Sequence, residues 1–307
     1  MIVTLAGGVG AARFLEGLVQ VAPASSLTVI VNTGDDIDLY GLRISPDLDI
    51  VMYTLAGMIE PKQGWGIQDD SYHGLEMLKR YGHDTWFLLG DCDLATHLHR
   101  THLLQQGLTL SEVSDQIRRS LGLEVHFLPM SDQRVTTQIV TSAGVLHFEE
   151  YLVQRHAVDK VLGVQFAGAD AARPAPGVLE AIAEAEAILL APSNPIVSIG
   201  TILAVSGVRT ALRETKAPVV AISPIVGGAP IKGPADKLMR AMGYEVSAVG
   251  VAQCYHDFLD VLILDQIDGA LAPLVEAQGC RVVVMDTLMR GLPQKEALAR
   301  AALAAVR

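Results

Sequence analysis

The sequence predicts a doubly wound α/β fold: a Rossmann-like, mostly parallel sheet with an inserted, smaller α+β subdomain. Short apolar runs alternate with runs of helical periodicity along most of the chain. Half of the 307 residues are hydrophobic and only 5% are aromatic, so the apolar content is mainly Ala, Val, Leu and Ile. That composition suits strands buried on both faces. The first strand runs into a glycine turn and then a helix, the arrangement that holds phosphate oxygens on backbone N–H groups.

Taken in order, Ile2–Leu5 reads as a strand, Ala6 to Arg13 as the glycine turn and Phe14–Val19 as a helix. Strand Leu27–Val31 follows and ends in Asn32-Thr33-Gly34-Asp35-Asp36. Proline at 46 restricts Ser45 to an extended shape, so Ser45 to Asp49 reads as a turn in which Asp47 and Asp49 share a face if extended. Helical periodicity marks Gly74–Arg80 and Leu110–Leu121, and a strand at Leu88-Leu89 precedes an acidic turn and a helix with histidines. Alternating runs Gln138–Thr141 and Val145–Phe148 flank Ser142-Ala143-Gly144, a hairpin signal. Beyond the loop Arg173 to Gly177, strands are expected at Ala187–Leu190, Val219–Ile222, Val246–Val251, Val261–Leu264 and Arg281–Met285. Helices are expected at Gly177–Glu184, Ile199–Ala211, Ala235–Met242, Ala270–Ala277 and Gln294–Ala304. The middle is more polar and carries all but one of the nine histidines. Residues 1–60 and 166–307 are therefore read as the nucleotide-binding core, and 61–165 as an insertion covering the acceptor site.

The formal charge of −11 argues against a broad nucleic-acid surface. No apolar run reaches the ~18 residues of a membrane helix; Ala187 to Val205 is broken by Ser193-Asn194-Pro195. The N-terminus enters a strand without a basic leader. Three widely spaced cysteines, Cys92, Cys254 and Cys280, form no disulfide framework, and a reducing cytoplasm is expected. So apolar a chain invites a homodimer.

Five segments could carry chemistry. Gly8 and Gly10 let the backbone approach a phosphate, and Arg13, where a dinucleotide fingerprint has its third glycine, could add charge; the plain alternative is an ordinary strand–helix turn. Asp35, Asp36, Asp47 and Asp49 are placed to hold a magnesium ion or to orient an attacking hydroxyl; the alternative is a set of turn-forming aspartates. Ser193 or Asn194 can cap a helix entered by Pro195, offering a second set of amides to a nucleotide; a plain cap accounts for them equally well. The loop Ser223 to Pro234 is too rich in glycine and proline for regular structure, with Gly227 and Lys232 as candidate nucleotide contacts or parts of a rigid surface loop. In Leu88 to Thr101, His97, His99 and His102 suggest a metal cluster, but helical residues two apart point apart, so Asp91 and His97 are read as contacts to a polar ring system. No base is fixed beside Cys92 to make it a nucleophile.

Together these segments resemble the CofD family, the 2-phospho-L-lactate transferases of coenzyme F420 biosynthesis. The resemblance runs nearly end to end: Gly7-Gly8-Val9-Gly10, Val31 to Asp36, Ser45 to Asp49, Tyr53 to Gly57, Gly64-Trp65-Gly66, Leu89-Gly90-Asp91, Leu94 to His97, Leu128 to Asp132, Ser193-Asn194-Pro195, Ser223-Pro224-Ile225 and Asp286 to Met289. It implies a magnesium-dependent transfer of a phospho-three-carbon acid, phospholactyl or enolpyruvyl, from a guanosine diphosphate donor to the ribityl hydroxyl of the deazaflavin Fo, releasing GMP. It implies that Asp49 and Leu88 contact Fo and that Asp35, with Asp49, serves the metal. Cys92 stands where the family usually has arginine, a contact that Arg100 could replace. The gluconeogenesis factor family shares the glycine turn and binds nucleotide sugars for regulation, which makes a regulatory binding protein the alternative. An NAD-dependent oxidoreductase ranks last, for want of the third glycine.

Overall fold

The structure is a computed structural model and describes residues 1–306. Its centre is a seven-stranded sheet built from β1 (Ile2–Ala6), β2 (Leu27–Val31), β3 (His126–Pro129), β4 (Ala187–Leu190), β5 (Val219–Ile222), β6 (Val261–Asp265) and β7 (Arg281–Met285). Their order across the sheet is β3-β2-β1-β4-β5-β6-β7, and every pairing is parallel. The order reverses between β1 and β4, where Leu5 pairs with Leu190. Loops leaving the carboxyl ends of strands part at such a reversal and leave a crevice for a ligand.

Both faces of the sheet are covered, as the apolar composition requires. Val3, Leu5, Ile30, Ile188 and Leu190 pack into one core with the helices Val178–Glu184 and Ala248–Tyr255. Ala6, Val29, Val31, Leu189 and Ile263 pack into the other with α1 (Gly8–Leu18), α2 (Pro46–Leu55) and the last helix, Leu292–Ala305. Gly17 has no space for a side chain: a Cβ there would meet the Lys295 backbone of that last helix.

The long connection from β2 to β3 carries α2, α3 (His73–Arg80), α4 (Asp91–Gln105) and α5 (Leu110–Ser120). A three-stranded antiparallel sheet, Thr136–Thr141, Gly144–His147 and Val161–Ala167, lies between β3 and β4, and its first two strands are the expected hairpin. The boundaries expected at 61 and 165 differ from this arrangement, because β3 falls between them and pairs with β2 in the central sheet.

Four local expectations are corrected. Val246–Val251 is not a strand; Ser247 caps the helix Ala248–Tyr255, accepting from the Gly250 amide at 3.2 Å. That helix is buried on nearly all sides, so it lacks the polar face that marks a helix in sequence. Ser45 to Asp49 is not a turn: Pro46 opens α2, a position where its missing N–H costs nothing. Leu88-Leu89 forms no strand. Ile199–Ala211 splits into Ile199–Ala204 and Val208–Glu214 at Gly207, whose φ of 91° suits a residue without Cβ.

Gly10 lies against the Pro192 carbonyl across the β1–β4 crevice. Gly10→Ala is expected to destabilise the protein by roughly 1–3 kcal/mol through overpacking. Gly163→Ala, where a Cβ meets nothing within 4 Å, should change stability by no more than about 0.5 kcal/mol. Chemical denaturation of the two variants checks this, and equal stabilities would contradict the close approach.

Candidate active site

At the carboxyl end of β1, Gly7 precedes α1 in extended geometry and no side chain caps the helix. Its N–H donates to Ser193 Oγ at 3.2 Å, tying the loop after β1 to the loop after β4. Gly8 has a φ of 70°, and a Cβ built there would lie 3.7 Å from Asp47 Oδ1. Gly8, Gly10, Ser193 and Asn194 are thus brought together, as the sequence suggested. The cap differs from expectation. Asn194 Oδ1 accepts from the Ile196 and Val197 amides at 2.9 and 3.3 Å, closing a turn, and the helix begins only after Ser198.

Beside this turn sit four buried carboxylates, Asp35, Asp36, Asp47 and Glu149. Asn32 Nδ2 donates to Asp35 Oδ2 and to Asp47 Oδ2, both at 2.9 Å, while its Oδ1 accepts from the Gly34 amide at 2.9 Å. One carboxamide therefore pins two acids at the end of β2. Ser45 Oγ donates to Asp36 Oδ2 at 2.8 Å. Burial, then the neighbouring Asp47 and Glu149, raise Asp35 well above the usual carboxylate range. Burial raises Asp47 to about 6, against the pull of Asn32 and the Gly8 amide. Burial also raises Asp36 to about 7, against Ser45 and the guanidinium groups of Arg100 and Arg43. Glu149 rises to about 8 through burial and its acidic neighbours Asp47 and Asp36. Asp35 Oδ1 is buried without a hydrogen-bond partner. Mutually repelling carboxylates with an orphaned oxygen fit a hard divalent cation, which prefers oxygen ligands.

Asp49 belongs to a different cluster. Residues two apart on a helix diverge by roughly 200°, so Asp47 meets Asn32 while Asp49 meets α4. Arg100 is fully buried; its Nη1 donates to Asp49 Oδ2 at 3.1 Å and its Nη2 to Asp49 Oδ1. His97 lies between two acids, with Nδ1 3.7 Å from Asp49 Oδ2 and Nε2 3.3 Å from Asp93 Oδ1. Tyr53 OH donates to Asp93 Oδ1 at 2.9 Å. Burial raises Asp49 above the usual range, opposed first by Arg100 and then by His97.

Asp35 and Asp49 thus meet different neighbours. The group that could offer three ligand atoms to an ion is Asp49, Asp93 and His97, among the described residues, and it excludes Asp35. Arg100 engages both Asp49 oxygens and supplies the positive charge there. His99 and His102 face outward, away from His97.

The remaining candidates are placed as follows. Asp91 caps α3, accepting from Ser71 Oγ at 2.6 Å and from the Gly74 and His73 amides at 2.8 and 3.1 Å. Those donors, Ser71 first, hold its carboxyl below the usual range. Asp70 in turn caps α4 through the Cys92 and Asp93 amides. Cys92 is exposed, and Asp70 pushes its thiol up, away from nucleophilic use. Leu88 is exposed just before α4. Gly227 turns a short hairpin, Ile225–Val226 with Ala229–Pro230, at a φ of 60°, and its amide donates to Asp268 Oδ2 at 2.9 Å. The Ser223 to Pro234 loop thus has regular pairing that its glycines and prolines concealed.

Sequence reasoning missed Asn32, Tyr53, Asp93 and Glu149. Asp93, His97 and Arg100 stand at i, i+4 and i+7, one helix face, which is a readable signal. Glu149 stands just after the strand Gly144–His147, at the start of a helical turn, and has no local signal.

A parallel sheet with a glycine turn at its reversal and a carboxylate cluster beside that turn is the arrangement in which open α/β folds place a ligand. A sequence profile described as "2-phospho-L-lactate transferase CofD" matches residues 2–302, and the chain belongs to the CofD family. A phosphoenolpyruvate transferase of Kitasatospora aureofaciens is 49% identical, the match covering 99% of this chain and 97% of that protein. A 2-phospho-L-lactate transferase of Methanosarcina acetivorans is 42% identical over 97% of this chain and 96% of its own. The crystal structure of a UPF0052-family protein from Bacillus halodurans superposes with a TM-score of 0.68 at 18% identity, covering 98% of both chains, which is a likeness of fold.

Two outcomes follow from the charges. Arg100→Met strands Asp49 as a buried unpaired acid and should cost about 3–5 kcal/mol in denaturant unfolding, whereas adding Asp49→Leu should restore most of the loss. Asp49→Ala strands Arg100 in the same way, so it is not expected to fold as well as the parent chain. Without divalent cations, stability should fall as pH rises. Asp36, Asp47 and Glu149 are raised to about 7, 6 and 8 from ordinary values of 3.8, 3.8 and 4.5. The folded chain therefore holds extra protons between about pH 4 and 8, and each contribution is lost as pH climbs through the folded-state value. Thermal melts at pH 5 and pH 8 check this; a higher melting point at pH 8 would contradict it.

Proposed function

We propose that this chain transfers the enolpyruvyl phosphate group from a guanosine diphosphate donor to the ribityl hydroxyl of Fo, releasing GMP, in coenzyme F420 biosynthesis. The observation that carries the reading is the carboxylate cluster pinned by Asn32 beside the Gly7–Gly10 turn, in a chain matched from end to end by a transferase family. The enolpyruvyl donor is favoured over the phospholactyl donor because relatives named phosphoenolpyruvate transferase are 47–49% identical and those named 2-phospho-L-lactate transferase 40–42%.

In this reading the acceptor oxygen attacks the phosphorus that bears the three-carbon acid, and the bond to the GMP phosphate breaks. Amides around Gly8 and Gly10 hold the diphosphate at the positive end of α1. Asp35 and Asp47 are the residues that would hold Mg2+. When bound, the ion neutralises charge on the diphosphate and on the departing phosphate. Asp49, oriented by Arg100, belongs to the acceptor side. The exposed Leu88 offers an apolar edge to the deazaflavin ring, and His97 supports Asp49 from within. Asp91 contributes by fixing α3 against α4.

The same reading includes a homodimer and a cytoplasmic setting. The exposed apolar side chains Ile267, Leu274 and Val284 at the β7 edge support the first. The free cysteines support the second, and among the described residues no helix is long and apolar enough to cross a membrane.

Mass spectrometry of reactions containing Fo, Mg2+ and either guanylylated acid tests the proposal. GMP and the phosphodiester should form with the enolpyruvyl donor, and Asp35→Asn should reduce the rate by about 100-fold or more. Absence of a phosphodiester with either donor would overturn the reading.

A further inference from the structure

The proposed transfer leaves two cations unexplained, and both lie beside the first turns of α1. Arg13 lies one turn beyond Val9 on α1, so the two share a helix face. That face is overlain by the segment after α2: a Cβ at Gly64, whose φ is 75°, would lie 2.7 Å from Val9 Cγ1. From the other side comes the loop after the Ile225–Pro230 hairpin, and Lys232 Nζ donates to the Gln63 carbonyl at 2.7 Å. Three segments distant in sequence therefore meet over the first turns of α1.

The charges at this meeting point are unbalanced. The chain carries a net charge of −11, yet among the described residues neither Arg13 nor Lys232 forms a salt bridge. The one hydrogen bond of the Lys232 ammonium goes to a neutral carbonyl, leaving donors free. Arg13 is half-buried. Burial and then the nearby Arg13 push the Lys232 ammonium below the usual lysine range. Like charges held together in an acidic protein are stabilised by an anion between them.

We infer that Arg13 and Lys232 form a two-pronged seat for the acidic groups of the donor, its diphosphate or the carboxylate of its three-carbon acid, with the Gln63–Gly64 segment as a strap that Lys232 fastens across it. The inference rests on the proposed donor chemistry, but the seat itself recognises charge and not the base. Lys232 gives up the Gln63 carbonyl for the stronger charged acceptor when the anion arrives, so occupation and release of the strap are coupled. The pair is distinct from the carboxylate cluster, which meets the donor through a cation.

Calorimetric titrations without divalent cations test this on the full chain, using inorganic pyrophosphate, phosphoenolpyruvate and GDP against wild type, Arg13→Gln, Lys232→Gln and the double variant. Both positions are at the surface or half-buried, and circular dichroism confirms that each variant is folded. Each single change should weaken pyrophosphate and GDP binding about 10-fold, as expected for loss of a charged hydrogen bond. A matching loss for phosphoenolpyruvate, with pyrophosphate unaffected, assigns the seat to the carboxylate end. If wild type binds pyrophosphate through Arg13 and Lys232 but does not bind GDP, the seat stands and the guanosine donor falls. If the variants bind every probe as wild type does, or wild type binds none of them, the seat is refuted.

Discussion

One carboxamide organises the centre of this molecule. Asn32 follows β2, turns its Nδ2 toward Asp35 and Asp47, and accepts the Gly34 amide on its other side. Without those donors, two neighbouring acids whose ionisation burial already opposes would lose a shared hydrogen-bond partner. Asn32 also reaches the Val197 carbonyl at 3.3 Å, so the loop after β2 is tied to the loop after β4 across the sheet reversal. The glycine turn after β1 lies between them and is bound to the same loop through Ser193. Three strand ends are thereby held at one crevice by neutral polar side chains.

Around that centre, acids are handled in two physically different ways. Asp49 has a cation built into the fold: Arg100 is buried with it and engages both oxygens. A buried ion pair of this kind adds little net stability, but removing either partner is costly. Among the described residues, Asp35 and Asp47 have no cation paired with them and are served by Asn32, while Ser45 donates to Asp36. Asp47 and Asp49 are separated by one residue, yet the helical turn sends them to opposite regimes. The contrast sets a closed ion pair apart from the acids to which the proposed cation is assigned.

Much of this was readable beforehand. The alternation of apolar runs with helical stretches gave the sheet, and six of its strands stand where those runs lie because buried parallel strands need continuous apolar sequence. The glycine turn and the acids after β2 were legible because they are local. The seventh, His126–Pro129, was hidden by its polar first residue, and the Ala248–Tyr255 helix by being apolar all round. The partners of Asp49 were obscured for a different reason. Its role depends on α2 being a helix, and proline at 46 fits either a turn or a first helical position. Glu149 reaches the cluster only through tertiary packing of the turn after the strand Gly144–His147, which no spacing rule encodes. Ser193 and Asn194 lie just after β4, where their hydrogen bonds serve the loop itself.

The central claim is that Asp35 and Asp47, held by Asn32, are the cation-binding acids, whereas Asp49 is not. Electron paramagnetic resonance of Mn2+ titrated into the protein with GDP measures this directly. Loss of bound Mn2+ in Asp35→Asn, with binding retained in Asp49→Asn, is the predicted result. Retention in Asp35→Asn together with loss in Asp49→Asn would contradict it.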